Sequence, residues 1–469
     1  MISFFKINDP LRLIGVFVLF VLIRLIFFFQ QPPLLIPELN WLIIGEKLDQ
    51  GGIMYVDVWD SIAPLSALTY WVLHKLVGNS IVVYHILAMV LVFLQAAFFN
   101  YVLLRKNLYN EKNYLPALFY VLFACSTFDI LILSPALMSL TFLLLVIRNI
   151  LSLNDDAFDN EIFKTGIYLG IAILIYLPNF IFLVFIAIGF ALFRTASARQ
   201  YLLFIYGISF IFSFFVIYYF WIGKANYFFQ NYLITIFDLN WSSFLSWQTI
   251  LFVLFFPIFF LTIALLRVFN ETAFINFQSN TQLLMLIWFA LSILTNLFAP
   301  SFATYQLILI APMFSFFVTY FFLLYKKKFA KEILFLIALL SMSISGYWSC
   351  FPINPLSKYI DYESIKVNKP KAFEVNAKKI LVLGNNISYY LGNQLATPYL
   401  NWELSQAHFA NLEYYSGMIA VYENFQKDLP EIIVDEANMG ELVFGKIPIL
   451  QKSYIKQGNL YLLKQEARK

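Results

Sequence analysis

Residues 37–65, PELNWLIIGEKLDQGGIMYVDVWDSIAPL, hold the densest set of groups able to do chemistry. Glu38, Glu46, Asp57 and Asp60 crowd a segment that directly follows an apolar run. A carboxylate at a membrane interface can deprotonate a hydroxyl acceptor. It can also hold a divalent cation against a phosphate. Both jobs suit group transfer from a phosphate-linked lipid. The plainer alternative is a solvated loop with helix caps. Glu46 and Asp49 fit that alternative best, and Asp57 and Asp60 lie in turn-like sequence. Arg24 sits inside the preceding apolar run, about 7 Å from its far end at 1.5 Å per residue. It reads either as an interface anchor or as a partner for a phosphate or a loop carboxylate. His85 opens the next apolar run and joins Arg24 as a substrate-binding candidate, although a lone His there is more often a polar interface residue. Asp129, before Ser134-Pro135, is a weaker acidic candidate. No metal-ligand pattern is visible, so no cofactor is certain and a divalent cation stays open as one.

These groups need a membrane scaffold. The chain has 469 residues, 61% hydrophobic and 12% charged, with 54 Phe and 29 Tyr. Soluble domains carry about 25% charged residues. Apolar runs long enough to cross a bilayer recur along the chain. We place spans at 11–29, 82–104, 114–132, 135–150, 164–177, 179–193, 201–220, 249–268, 281–299, 304–325 and 332–349. Pro178 splits two of them into a kinked or half-crossing pair. The net charge of +4 is small and scattered, which argues against nucleic acid as a partner. Cys125 and Cys350 are far apart and suggest neither a metal site nor a disulfide framework.

Basic residues set the orientation. Lys6, Arg12, Arg105, Lys106, Arg148, Lys164, Arg194, Arg199, Arg267, Lys326–Lys328 and Lys331 fall in one set of connections. The other set holds little beyond Lys47, Lys75 and Lys224. The N-terminus is therefore expected in the cytoplasm, with loop 30–81 and the C-terminal segment on the outer face. In that loop, ELNWLIIGEKL reads as a helix lying flat at the interface. PLSALTYWVLHKLVG reads as a second interfacial helix or a short span.

Residues 350–469 change character, with frequent Lys, Glu, Asn and Asp and no run that could span. KKILVLG (378–384) reads as a buried strand, NISYYLGNQ as a helix and EIIVDE (431–436) as a second strand. The expected division is a membrane domain over 1–349 and a small soluble α/β domain over 350–469. No G-x-G-x-x-G follows the first strand, so a nucleotide role is not expected.

The order Glu38, Gly51-Gly52, Tyr55-Val-Asp57-Val-Trp59-Asp60, Pro64-Leu65 resembles the first outer loop of GT-C superfamily glycosyltransferases. These include protein mannosyltransferases and lipid A aminoarabinose transferases. The strand–helix pattern of the C-terminal segment is similar to the outer domain of bacterial members. The middle of the chain, from YLPALFYVLFA to FVIYYFW, also resembles a membrane family of Bacteroidetes that supplies no function.

The resemblance implies a polytopic α-helical GT-C-like protein of about eleven spans with a C-terminal α/β outer-face domain, in a bacterial inner membrane. It implies transfer of a sugar from a polyprenyl-phosphate donor to an envelope acceptor. Glu38 would be the catalytic acid residue or general base, and Asp57 and Asp60 would shape or charge the site. Tyr55 matches the family motif and is carried as substrate-binding. Lipid-linked donor and membrane lipids are the implied partners; no protein partner is implied. Two positions depart from the family pattern. An Asp-Glu pair is Glu38-Leu39 here, and Lys-Gly before Pro-Leu is Ile62-Ala63. Those departures favour an alternative, a catalytically inactive scaffold or assembly factor in envelope biogenesis, secretion or gliding motility. A transporter is a weaker option, because no inverted repeat or row of intramembrane acids is seen.

Overall fold

The structure is a computed structural model. It describes residues 2–7, 9–153, 158–193, 196–237, 242–271, 274–351, 359–368 and 378–464. Arg194 of the orientation set lies outside the described residues. The protein is mostly helical, a multi-pass membrane protein with a small C-terminal sheet domain.

Six helices among the described residues are long and apolar enough to cross a membrane, or seven if a bent pair counts as one span. Leu11–Phe29, Ile81–Arg105, Ala198–Trp221 and Lys328–Cys350 lie close to their expected positions. The stretch 114–132 is not one helix of spanning length. Its helix, Leu115–Ala124, has 10 residues, about 15 Å at 1.5 Å per residue, half the bilayer core. The Ser126 hydroxyl turns back onto the Phe123 carbonyl at 2.7 Å. A buried turn through Asp129–Leu131 follows. Gly346 lets the helix Lys328–Cys350 press against the end of Leu115–Ala124, since a Cβ there would overlap the Cys125 carbonyl oxygen.

The expected span 249–268 is broken. Trp247–Val253 and Phe255–Phe269 meet at 61°. Pro257 has no N–H to give to the Val253 carbonyl four residues back. The Ser345 hydroxyl takes that carbonyl instead, at 2.7 Å.

The chain divides into two compact units. One joins residues 1–33, 81–215 and 236–365, and holds most of the long helices. The other joins 34–80, 216–235 and 366–469. The expected cut at 349/350 follows the chain; these units are drawn in space and take loop 34–80 together with the C-terminal segment. The second unit contains a five-stranded sheet in the order Gln394–Leu395, Lys379–Leu383, Ile432–Asp435, Leu460–Leu463, Tyr454–Gln457. The first three strands run parallel and the last two close as an antiparallel hairpin.

The strands read from KILVL and EIIVDE are present, but NISYYLGNQ is not a helix. It makes one 3-10 turn, Ile387–Tyr390. Asn386 caps the Ser388 N–H, and Gly392, at φ 78°, turns the chain into the next strand.

The loop helix Ile36–Asp49 is buried on more than one face. It packs on Pro64–Val77, with Trp41 stacked on Tyr70 at 5.6 Å. Pro64–Val77 has 14 residues, about 21 Å, too short to span.

Candidate functional site

The site residues fall in both units, and each group is described within its own. In the membrane unit, Arg24 projects from Leu11–Phe29 and is 6% exposed. Its guanidinium lies over the Phe27 ring at 4.2 Å. Among the described residues it makes no hydrogen bond or ion pair. Arg24 and His85 line one cleft with Phe27, Phe28, Gln31 and Met89. The space is about 70 Å³. Phe28 and Val82 on its wall are exposed, as lipid-facing side chains are. A buried guanidinium without a carboxylate has a large desolvation cost to recover, and a phosphate oxygen recovers it with charge-assisted hydrogen bonds.

In the second unit the loop acids have structural partners. Glu38 stands at the third position of its helix and accepts the Leu35 N–H at 3.2 Å, half of a capping box. Asp60 accepts the Asn40 side-chain amide at 3.0 Å and the Ile62 N–H at 2.8 Å. Burial raises its carboxyl above the ordinary 3.8, against hydrogen bonds from Asn40, Ile62 and Asn401 that lower it. Asp57 accepts the Ile53 N–H at 2.9 Å and borders a separate polar cavity.

Tyr55 is wholly buried at φ 67°, a left-handed conformation that costs a non-glycine residue energy. Its hydroxyl donates to the Ile62 carbonyl at 2.6 Å. Its ring sits among Tyr219, Phe228 and Tyr232, each 5.8 Å away. Asn231 donates to its carbonyl at 3.0 Å. Burial, with Tyr232, Tyr219 and Asp60 nearby, pushes the hydroxyl well above its usual 10. Ile62, standing where the resemblance expects Gly-adjacent Lys, thus uses its backbone to pin both Tyr55 and Asp60.

Asp57 is the one acid of the set that borders open space in the second unit's polar cavity. Asp60 and Tyr55 are brought together through Ile62, and Asn40 ties Asp60 to the helix that carries Glu38. In the membrane unit, Asp129 is fully buried and accepts the Thr304 hydroxyl at 2.5 Å, with Tyr362 behind Thr304 at 3.1 Å. Among the described residues no three His, Cys, Asp or Glu side chains gather as a metal-binding group.

Sequence reasoning missed two residues, Lys47 and Asn40, and read Trp59 only as part of a motif. Trp59 packs edge-on to Tyr399 at 5.1 Å and His408 at 4.4 Å, while its backbone pairs with Pro398 and Asn401. Lys47 is 8% exposed and its ammonium meets the Leu395 and Ala396 carbonyls and Asp428. Asn40 is the partner of Asp60. The Trp59-Asp60 pair was a visible signal; nothing local marks Lys47 as buried.

The sequence matches no family model and no curated protein. The structure is similar to the crystal structure of ArnT from Cupriavidus metallidurans bound to undecaprenyl phosphate, with a TM-score of 0.57. The match covers 96% of this chain and 98% of that one at 12% identity. The shared feature is the fold. Both the many-span helical part and the C-terminal sheet domain fall inside the matched length, as the GT-C resemblance implied.

Proposed function

We propose that this protein transfers a sugar from a polyprenyl-phosphate donor to an envelope acceptor at the outer face of a bacterial inner membrane. The observation that carries the reading is Arg24, a buried cation without an acid partner among the described residues, in a lipid-edged cleft of a fold shared with a structure bound to undecaprenyl phosphate. In this reading Arg24 and His85 hold the donor phosphate. The acceptor hydroxyl attacks the anomeric carbon, the bond from that carbon to the phosphate oxygen breaks, and the proton passes to Glu38. Polyprenyl phosphate leaves with its charge held by Arg24. Asp60 keeps the loop that carries the acid in register. A divalent cation, if one takes part, would add to Arg24 in neutralising the leaving phosphate. The N-terminus is cytoplasmic, and segments 34–80 and 366–469 are periplasmic.

A donor-binding and transfer assay with labelled polyprenyl-phosphate sugars tests the reading. Arg24→Gln should lose donor binding; Glu38→Gln should bind donor and fail to transfer. Unchanged donor binding in Arg24→Gln removes the observation on which the reading stands.

A second reading, a non-catalytic scaffold in envelope biogenesis, secretion or motility, is favoured by how the loop uses its groups. Glu38 caps its own helix, and Tyr55 and Asp60 are engaged with Ile62 and Asn40. A wild-type protein that binds no donor of any tested sugar would favour it.

A further inference from the structure

The second unit contains a polar cavity of about 520 Å³ outside the helices long enough to cross a membrane. That volume lies within the range of small-molecule pockets, about 300–1,000 Å³. Its walls come from the end of the loop helix (Lys47, Gln50), the Gly51-Gly52 turn, Asp57, two sheet strands (Lys379, Gln394) and the end of Tyr415–Lys427 (Asn424, Lys427, Asp428). No aromatic or long aliphatic side chain lines it, so an acyl chain gains little there.

The charges divide into committed and available groups. Asp428 gives one oxygen to Lys47 at 2.5 Å and the other to Lys379 at 2.7 Å. Lys47 has two further acceptors in the Leu395 and Ala396 carbonyls, so its three protons are used. That triad is a rigid wall with one net positive charge. Lys427 makes no hydrogen bond or ion pair among the described residues, and neither does the Gln394 side-chain amide. Asn424 gives its N–H to the Tyr399 hydroxyl at 2.9 Å, which leaves its carbonyl oxygen as an acceptor. The available groups are an ammonium, a carboxamide and an amide oxygen. Against the three lysines stand Asp57 and Asp428, so the wall carries net charge +1.

We infer that this cavity binds an anionic monosaccharide, a sugar bearing one carboxylate or phosphate. Lys427 meets the anion, and Gln394, Asn424 and Asp57 meet the hydroxyls. The binding stands without any transfer reaction. Only the step of calling this ligand the acceptor rests on the proposed function.

The test uses the full chain in detergent, titrated calorimetrically with glucuronic acid, glucose 6-phosphate, glucose and inorganic phosphate. One of the two anionic sugars should bind, with glucose at least tenfold weaker and phosphate unable to displace the sugar at equal concentration. Lys427→Gln should weaken the anionic sugar about tenfold and leave the affinity for glucose unchanged. Gln394→Ala should weaken both sugars. Both variants should keep the wild-type melting point. Affinities weaker than about 10 mM for both anionic sugars, equal competition by phosphate, or a Lys427→Gln variant with wild-type affinity would each overturn the inference. A wild-type protein that binds the sugar but transfers none from any tested donor speaks against the enzyme reading alone.

Discussion

Asn40 donates its side-chain amide to Asp60 at 3.0 Å, tying the helix Ile36–Asp49 to the chain twenty residues further on. That carboxyl is nearly buried, and burial raises its pKa in the folded state. The protonated form is therefore favoured on folding. The resulting stability is full below the unfolded value of 3.8 and is lost as pH rises through the raised folded value. After correction for intrinsic exchange, amides 53–63 should be more protected at pH 3.8 than at pH 8. Asp60→Asn, neutral at both, should remove most of that difference. A pH-independent wild-type rate ratio, after correction for intrinsic exchange, would count against the raised carboxyl.

Arg24→Gln keeps a long polar side chain and removes the charge. A hydrogen bond to a charged group contributes about 1.5–3 kcal/mol, so affinity for a polyprenyl-phosphate donor should fall roughly tenfold to a hundredfold. Removal of an uncompensated buried charge should at the same time leave thermal stability equal or higher. Equilibrium binding and melting of the same preparation read both effects.

Glu38→Gln and Glu38→Ala separate chemistry from capping. Gln can still accept the Leu35 N–H. Glu38→Ala loses the cap, at a cost of about 1 kcal/mol. Both should abolish transfer, and only the alanine variant should lower the melting point. Transfer that survives in Glu38→Gln would assign the residue to the helix alone.

Gly45→Ala tests the packing beneath the loop. A Cβ at Gly45 would lie 2.7 Å from the Tyr70 carbonyl oxygen. Both sides of that contact are helix backbone, so the pair must separate. Overpacking of this kind costs about 1–3 kcal/mol. Limited proteolysis should cut the loop segment sooner in the variant than in the wild type.

Lys47→Met removes the ammonium that Leu395, Ala396 and Asp428 share. Breaking one side of a buried pair costs roughly 3 kcal/mol, here moderated because Lys379 stays on Asp428. The melting transition of the sheet domain should drop, while donor affinity should not change.

Legibility followed the range of the forces involved. The helix Leu11–Phe29 and the strands Lys379–Leu383 and Ile432–Asp435 rest on local apolar patterning, and each was readable from a few residues. The stretch 114–132 was apolar enough to pass for a span. Its end is set by Ser126, by the buried Asp129 and by Gly346 more than two hundred residues away, which no window along the chain contains. The break at Pro257 could have been read from the proline, but its repair by Ser345 could not. Glu38, Asp57 and Asp60 were visible as acids, while Asn40 and Lys47 looked like ordinary polar surface. The burial of Lys47 depends on partners as distant as Asp428. Tyr55 was legible as part of a motif and illegible as a left-handed, ring-enclosed residue, because its enclosure comes from residues 219–232.

Lys47 and its carbonyl partner Leu395 are 348 residues apart. At about 5–20 residues per second, a ribosome needs roughly 20–70 s to make the intervening chain. For all of that time the first loop is synthesised without the strands that cover Trp59 and Lys47. Every later hydrophobic helix must be inserted while it waits. The buried setting of Lys47 is therefore finished only after the intervening helices have been made, and the closed contact reports that they have.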